Sequence, residues 1–232
     1  MIALAALSTA AGDDAATCRW CDPGAFDRGA REALAAANPR PPALLSHVLS
    51  IGIAPALAFT LTAVPAVRAG RGRYALEDAV IVIDAFVLAT ALADFTKKTA
   101  DRERPAFHHG REAATEFAGH PGERNRSFFS GDTAWAFSFV ASGTTLARLR
   151  GYGTARWIAG AGAAVATGAG LLRIVADVHW ATDVMAGAAA GTLVGTGLPL
   201  LLHRRAGAPG TAARLVPLPV RGGGGLALAG LL

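Results

Sequence analysis

The sequence predicts an all-α protein, a polytopic transmembrane helix bundle of about five spans preceded by an N-terminal apolar segment. Composition is the first reason. Hydrophobic residues are 52% of the chain and 28 of its 232 residues are Gly, together about 64%, against about 45–50% for an ordinary soluble domain counted the same way. Charged residues are 17%, against about 25%. The second reason is where the charges are missing. Ala43–Val67 and Val184–Leu202 hold no formal charge, and each is long enough to cross about 30 Å of hydrocarbon as a helix. Shorter apolar runs cover Ala79–Phe95, Thr133–Ala147 and Trp157–Leu172. The third reason is where the charges sit. Arg68, Arg71 and Arg73, then Arg148, Arg150 and Arg156, then Arg204 and Arg205 all fall on one side of a five-span chain, which the positive-inside rule makes cytoplasmic. The same composition excludes a disordered chain. Two Cys exclude a disulfide scaffold. The net charge of +5 is accounted for by orientation, and no nucleic-acid partner is expected.

Taken in order, residues 1–42 form an N-terminal segment on the outer side. Met1–Ala11 is apolar but short and has no preceding basic residue, which suits a weak signal peptide, a truncated first span or a surface segment. Cys18 and Cys21 form a C-x-x-C without the second ligand pair that zinc needs; a local disulfide or two free thiols remain. Ala25–Asn38 has the spacing of an interfacial helix, ended by Asn38-Pro39-Arg40-Pro41-Pro42 because proline cannot continue a helix. Residues 43–202 form the membrane domain. Residues 203–232 read as a flexible Gly/Pro-rich tail. Within the domain, Gly187 and Gly191 mark close helix packing, and Trp135, Trp157 and Trp180 suit interface anchors.

Three clusters on the outer face carry chemistry. Lys97–Asp132 holds 13 of the 39 charges, seven of them basic against the orientation rule. At its start, Lys97-Lys98-Thr99-Ala100-Asp101-Arg102-Glu103-Arg104-Pro105 offers guanidinium forks and ammonium groups suited to phosphate oxygens. Taken alone it is a juxtamembrane basic cluster. Ser127-Phe128-Phe129-Ser130-Gly131-Asp132-Thr133-Ala134 opens a helix, and helix N-termini present free N–H groups to an anion; an ordinary N-cap has the same signature. In Arg173-Ile174-Val175-Ala176-Asp177-Val178-His179-Trp180-Ala181-Thr182-Asp183, His179 and Asp183 are four apart and so share a helix face. A carboxylate on one imidazole nitrogen frees the other as nucleophile or base. Cations, helix-start amides, a nucleophile and an orienting acid are together the equipment of phosphoryl transfer through phosphohistidine.

Lys97-x6-Arg104-Pro105, then Ser127-Phe128-Phe129-Ser130-Gly131-Asp132, then Arg173-x5-His179-x3-Asp183 resemble the three signature motifs of the type 2 phosphatidic acid phosphatase superfamily. That superfamily includes lipid phosphate phosphatases, polyprenyl diphosphate phosphatases, class A acid phosphatases and vanadium haloperoxidases. The resemblance covers about Ala75 to Leu202. It implies a helical bundle, with Lys97, Arg104, Ser130, Gly131 and Arg173 holding phosphate, His179 attacking phosphorus and Asp183 orienting it. It implies no metal and no cofactor for the phosphatase reaction.

Two departures stand out. Leu172 precedes Arg173 where the family pattern has Ser. More seriously, Asp132 occupies the place of the His that protonates the leaving group. An unperturbed Asp, with a reference pKa of about 3.9, is a poor acid at neutral pH. Burial of Asp132, a substitute imidazole from His108, His109 or His120, or a good leaving group are three ways to complete the reaction. The expected function is therefore a phosphoric monoester or diphosphate hydrolase of the bacterial inner membrane. Its site faces the periplasm and its substrate is a lipid phosphate or polyprenyl diphosphate. A catalytically impaired member that binds phospholipid or serves as an interaction module is the alternative, supported by Asp132. The missing His also argues against a haloperoxidase, and the 25-residue uncharged stretch argues against a soluble phosphatase.

Overall fold

The computed structural model describes residues 18–118, 121–203, 213–220 and 223–230. Met1–Ala11 and His120 lie outside them. In chain order the helices are α1 (Ala25–Leu34), α2 (Arg40–Val48), α3 (Ala54–Arg68), α4 (Gly72–Ala100), α5 (Pro105–His108), α6 (Glu112–Ala118), α7 (Gly131–Leu149), α8 (Ala155–Val175) and α9 (Ala181–Leu202). Cys18–Pro199 is one compact helical unit. In the other unit, β1 (Ala213–Val220) and β2 (Gly223–Gly230) pair antiparallel, with Ala213 opposite Gly230 and Val220 opposite Gly223.

Among the described residues, four helical runs are long and apolar enough to cross a membrane: Arg40–Arg68, Gly72–Ala100, Ala155–Val175 and Ala181–Leu202. The first joins α2 to α3 through a π-helical turn at Leu49–Ile53. Its cause is Pro55, whose ring would clash with the carbonyl four residues back in a regular helix; a widened turn absorbs the conflict. This run begins at Arg40 because Pro41 and Pro42 occupy the first turn of α2, where a missing N–H costs nothing. The prolines therefore end the outer segment and also start the first span. Apolar side chains such as Leu44, Leu45, Val48, Leu76, Val80, Met185 and Leu193 stand exposed on these helices, as a hydrocarbon-facing surface requires.

The remaining apolar run, Thr133–Ala147, falls in α7, which is the central helix. Thirteen of its 19 residues are buried, and it packs against α3, α4 and α8. Neighbouring helices rather than lipid surround α7, so it tolerates hydroxyl residues. Ser138, Ser142 and Thr145 each donate back to a carbonyl of the preceding turn, which satisfies them without any outside partner. At the end of the bundle formed by the α3–α4 and α7–α8 turns, Arg150 makes ion pairs with Asp78 and Glu77 and stacks over Tyr74. Two of the three arginine clusters thus meet on one side.

The fit of α9 on α7 is set by glycine. A Cβ on Gly187 would lie 2.6 Å from the Ser130 carbonyl oxygen, one on Gly191 2.3 Å from that of Ala134, and one on Gly195 2.5 Å from that of Ser138. Three glycines four residues apart therefore let two backbones touch. Gly191→Ala is expected to lower stability by about 1–3 kcal/mol through overpacking, seen as a lower unfolding temperature in detergent. Gly197→Ala on the same helix meets nothing within 4 Å and should be neutral or stabilising. Equal behaviour of the two variants would refute the packing argument.

Candidate active site

The opposite end of the bundle collects the residues of the three sequence clusters. Lys97 lies in the last turn of α4 and Arg104 is the N-cap of α5. Ser130 is the N-cap of α7, followed by Gly131 and Asp132 in its first turn. Arg173 lies in the last turn of α8 and Asp183 in the first turn of α9. His179 sits in the turn between these two helices.

His179 and Asp183 therefore do not share a helix face, because α9 begins at Ala181. A cap arranges them instead. The Asp183 side chain reaches back to accept from the Trp180 backbone N–H at 2.9 Å, the geometry of a residue closing the helix start on itself. The same oxygen, Oδ2, accepts from Ser127 Oγ at 2.5 Å and lies 3.5 Å from His179 Nδ1. On the other side of the ring, Nε2 is 3.2 Å from an Arg104 NH1 nitrogen. A guanidinium only donates, so Nε2 presents its lone pair there and Nδ1 carries the hydrogen towards Asp183. Burial, then the positive charges of Arg104, Arg173 and Lys97, hold the imidazole well below its ordinary pKa. At neutral pH it is the uncharged, nucleophilic form.

Arg104 is anchored by donating to the Glu123 carbonyl at 3.1 Å and the Val178 carbonyl at 3.2 Å. Burial and the nearby Arg173 lower its pKa to about 10, still charged at neutral pH. Lys97 Nζ lies 3.5 Å from where a Cβ of Gly131 would stand. A side chain at position 131 would thus occupy space beside the ammonium group and over the first-turn N–H groups of α7. Arg173 Nε and Trp135 Nε1 are among the buried donors that have no hydrogen-bond partner among the described residues. Buried donors are almost always satisfied, so their exposure to this cluster of cations fits a site for an anion. Trp135 is accordingly no interface anchor: its ring lies against the position of Gly131 and edge-on to Phe86. Trp180 is no anchor either, being buried with its Nε1 donating to the Glu103 carbonyl at 2.7 Å.

Asp132 is surrounded by donors. Ser50 Oγ donates to its Oδ1 at 2.8 Å, His47 Nδ1 lies 3.0 Å from the same oxygen, and an Arg173 nitrogen is 3.7 Å from Oδ2. In this setting Asp132 is an acceptor. The loop histidines lie elsewhere: His108 is paired with Glu103 at 2.9 Å, and both His108 and His109 pack edge-on to Trp180. The histidine beside Asp132 is His47 of α2, which sequence reading passed over. It lies 85 residues from Asp132, with no motif to mark it.

A second missed group lies behind Asp183. Arg102, inside the Lys97–Arg104 stretch, is almost wholly buried and bridges two carboxylates. One guanidinium nitrogen binds Asp183 and Thr182, and the other binds Asp27 of α1 at 2.5 Å. Asp27 also accepts from the Thr182 N–H and hydroxyl. Trp20 stacks on this guanidinium at 3.8 Å. The turn carrying Trp20 is closed by a Cys18–Cys21 disulfide and held by Arg19 and Trp20 N–H groups on the Asp101 carbonyl. The outer segment is thus part of the wall around the site.

Apolar spans that carry a buried histidine beside three cations at one end are the framework of an integral membrane protein. The chain matches the PAP2 superfamily over residues 78–206, more than half its length, and belongs to that superfamily. A stretch of 74 residues is 43% identical to the lipid A 1-phosphatase of Porphyromonas gingivalis, covering 32% of this chain and 16% of that protein. The similarity therefore spans about a sixth of that relative's length. No solved structure matches the chain.

Proposed function

We propose that this protein is a membrane phosphatase that hydrolyses a lipid phosphate or polyprenyl diphosphate through a phosphohistidine intermediate. The observation that carries the proposal is the placement of His179. Its Nε2 lies 3.2 Å from Arg104 while Nδ1 faces the buried Asp183. Lys97, Arg104 and Arg173, with Ser130 and the Gly131 amide, hold the phosphate oxygens and the charge that builds on them. Nε2 attacks phosphorus, the bond to the leaving oxygen breaks, and water then cleaves the N–P bond to release phosphate and restore His179. The apolar surface supports a lipid-borne substrate, as does the similarity to a phosphatase of lipid A. The arginine clusters at the far end support a periplasm-facing site in the bacterial inner membrane.

The test is phosphate release by detergent-purified protein from phosphatidic acid and from a polyprenyl diphosphate, with trapping of labelled protein by an alkaline detergent quench. Wild type should release phosphate and carry an acid-labile label, and His179→Ala should lose both. Full activity in His179→Ala would sink the histidine mechanism. No release from either lipid, together with binding of vesicles containing phosphatidic acid, would favour the impaired lipid-binding module that Asp132 suggests.

A further inference from the structure

The phosphatase reading leaves the leaving group without an acid, because Asp132 stands among donors and has no proton to give. The structure holds a second His–Asp pair at this point. His47 Nδ1 meets Asp132 Oδ1 at 3.0 Å, much as His179 Nδ1 faces Asp183. Asp132 lies between His47 and Arg173, one of the three cations that act on His179. Ser50 binds the same carboxylate oxygen as His47, so that oxygen is held from two positions three residues apart. The widened turn at Leu49–Ile53 starts between them. The His47 side chain is about half exposed, at 52%, whereas His179 is buried. Its helical neighbours Leu44, Leu45, Val48 and Ile51 stand on the outer, apolar surface. If Lys97, Arg104 and Arg173 held the phosphate, an imidazole at that boundary would face the side where the phosphate joins the hydrocarbon-bearing alcohol.

We propose that His47 is the general acid of this enzyme, with Asp132 as its positioning residue; the proposal rests on the phosphatase reading above. Asp132 accepts from Nδ1–H and so turns Nε2–H of the imidazolium outward. As the His179 N–P bond forms, the P–O bond to the lipid alcohol breaks, and the departing oxygen takes its proton from His47 Nε2. In the second half the now neutral His47 accepts a proton from the water that attacks phosphorus. The N–P bond breaks, phosphate leaves and His47 is charged again. The imidazole missing from position 132 is thereby supplied from another helix, and the residue at 132 has become its anchor.

A leaving-group comparison tests this. Phenyl phosphate and phosphatidic acid have poor leaving groups and need an acid, whereas 2,4-dinitrophenyl phosphate does not. His47→Asn and His47→Gln should slow first-turnover release of phenol and of diacylglycerol by about 10²–10⁴-fold, the usual worth of general acid catalysis. First-turnover release of dinitrophenol should stay within a few fold of wild type, which also shows that the variants fold. An equal fall on all three substrates in both variants overturns the proposal, as does an unchanged rate on phenyl phosphate. Wild type inactive on every substrate overturns the phosphatase reading itself, and this assignment with it.

Discussion

Replacing Arg102 by Met is expected to cost about 3–5 kcal/mol of stability, the range found when one member of a buried ion pair is removed. The guanidinium is buried and holds two buried carboxylates, Asp27 and Asp183, at once. Met keeps the apolar stem but leaves both acids without their cation. Lys cannot repair this, because an ammonium lacks the planar fork that spans two acceptors, so Arg102→Lys should also be less stable than wild type. Adding Asp27→Asn to Arg102→Met removes one stranded charge and should recover part of the loss. The two substitutions then combine non-additively, as contacting residues do. Unfolding in detergent, followed by heat or urea, reads all of these. Stability of Arg102→Met within about 0.5 kcal/mol of wild type would remove the argument.

The same residue shows what a sequence discloses and what it hides. The motif residues Lys97, Arg104, Arg173, His179 and Asp183 are visible because they stand at or beside helix ends, and helix ends are marked by where apolar runs stop. Arg102 stands two residues before Arg104 and looks like any member of a basic run. Its distinction is a partner, Asp27, 75 residues away, and no local pattern reports such a distance. His47 was hidden for the same reason: it lies in the apolar first span, where a lone histidine carries no signal. The spans followed from missing charge, a property summed over 20 residues and so robust to detail. The role of α7 did not, because a helix shielded by its neighbours need not be as apolar as one facing lipid. The supposed helix face shared by His179 and Asp183 failed because spacing of four has two meanings. It is one helical turn, or it is a residue just outside a helix and one inside its first turn. The Trp180 cap decides for the second.

That cap also makes Asp183 the most exacting residue of the site. Every group around its carboxylate donates: Ser127 Oγ, the Trp180 N–H and Arg102 bind it, and His179 Nδ1 faces it at 3.5 Å. An Asn here keeps the shape but must turn an NH₂ group towards a donor. If the amide oxygen remains at the cap, the NH₂ group faces Arg102 and the buried pair is lost. If the oxygen faces Arg102, the NH₂ group is presented to Ser127 and His179. Either orientation removes the negative charge that, in the mechanism proposed above, steadies the imidazolium formed when Nε2 bonds to phosphorus. Asp183→Asn is therefore expected to lower kcat by on the order of 10⁴-fold, the loss seen when the Asp behind a catalytic His becomes Asn. KM should change little, because the proposed phosphate-binding groups Lys97, Arg104 and Arg173 are unchanged. The labelled phosphohistidine should accumulate more slowly in the same proportion, measured per folded molecule so that the stability loss is not counted as lost catalysis. A kcat within tenfold of wild type would show that His179 does not depend on Asp183. A large rise in KM at constant kcat would instead place Asp183 in substrate binding.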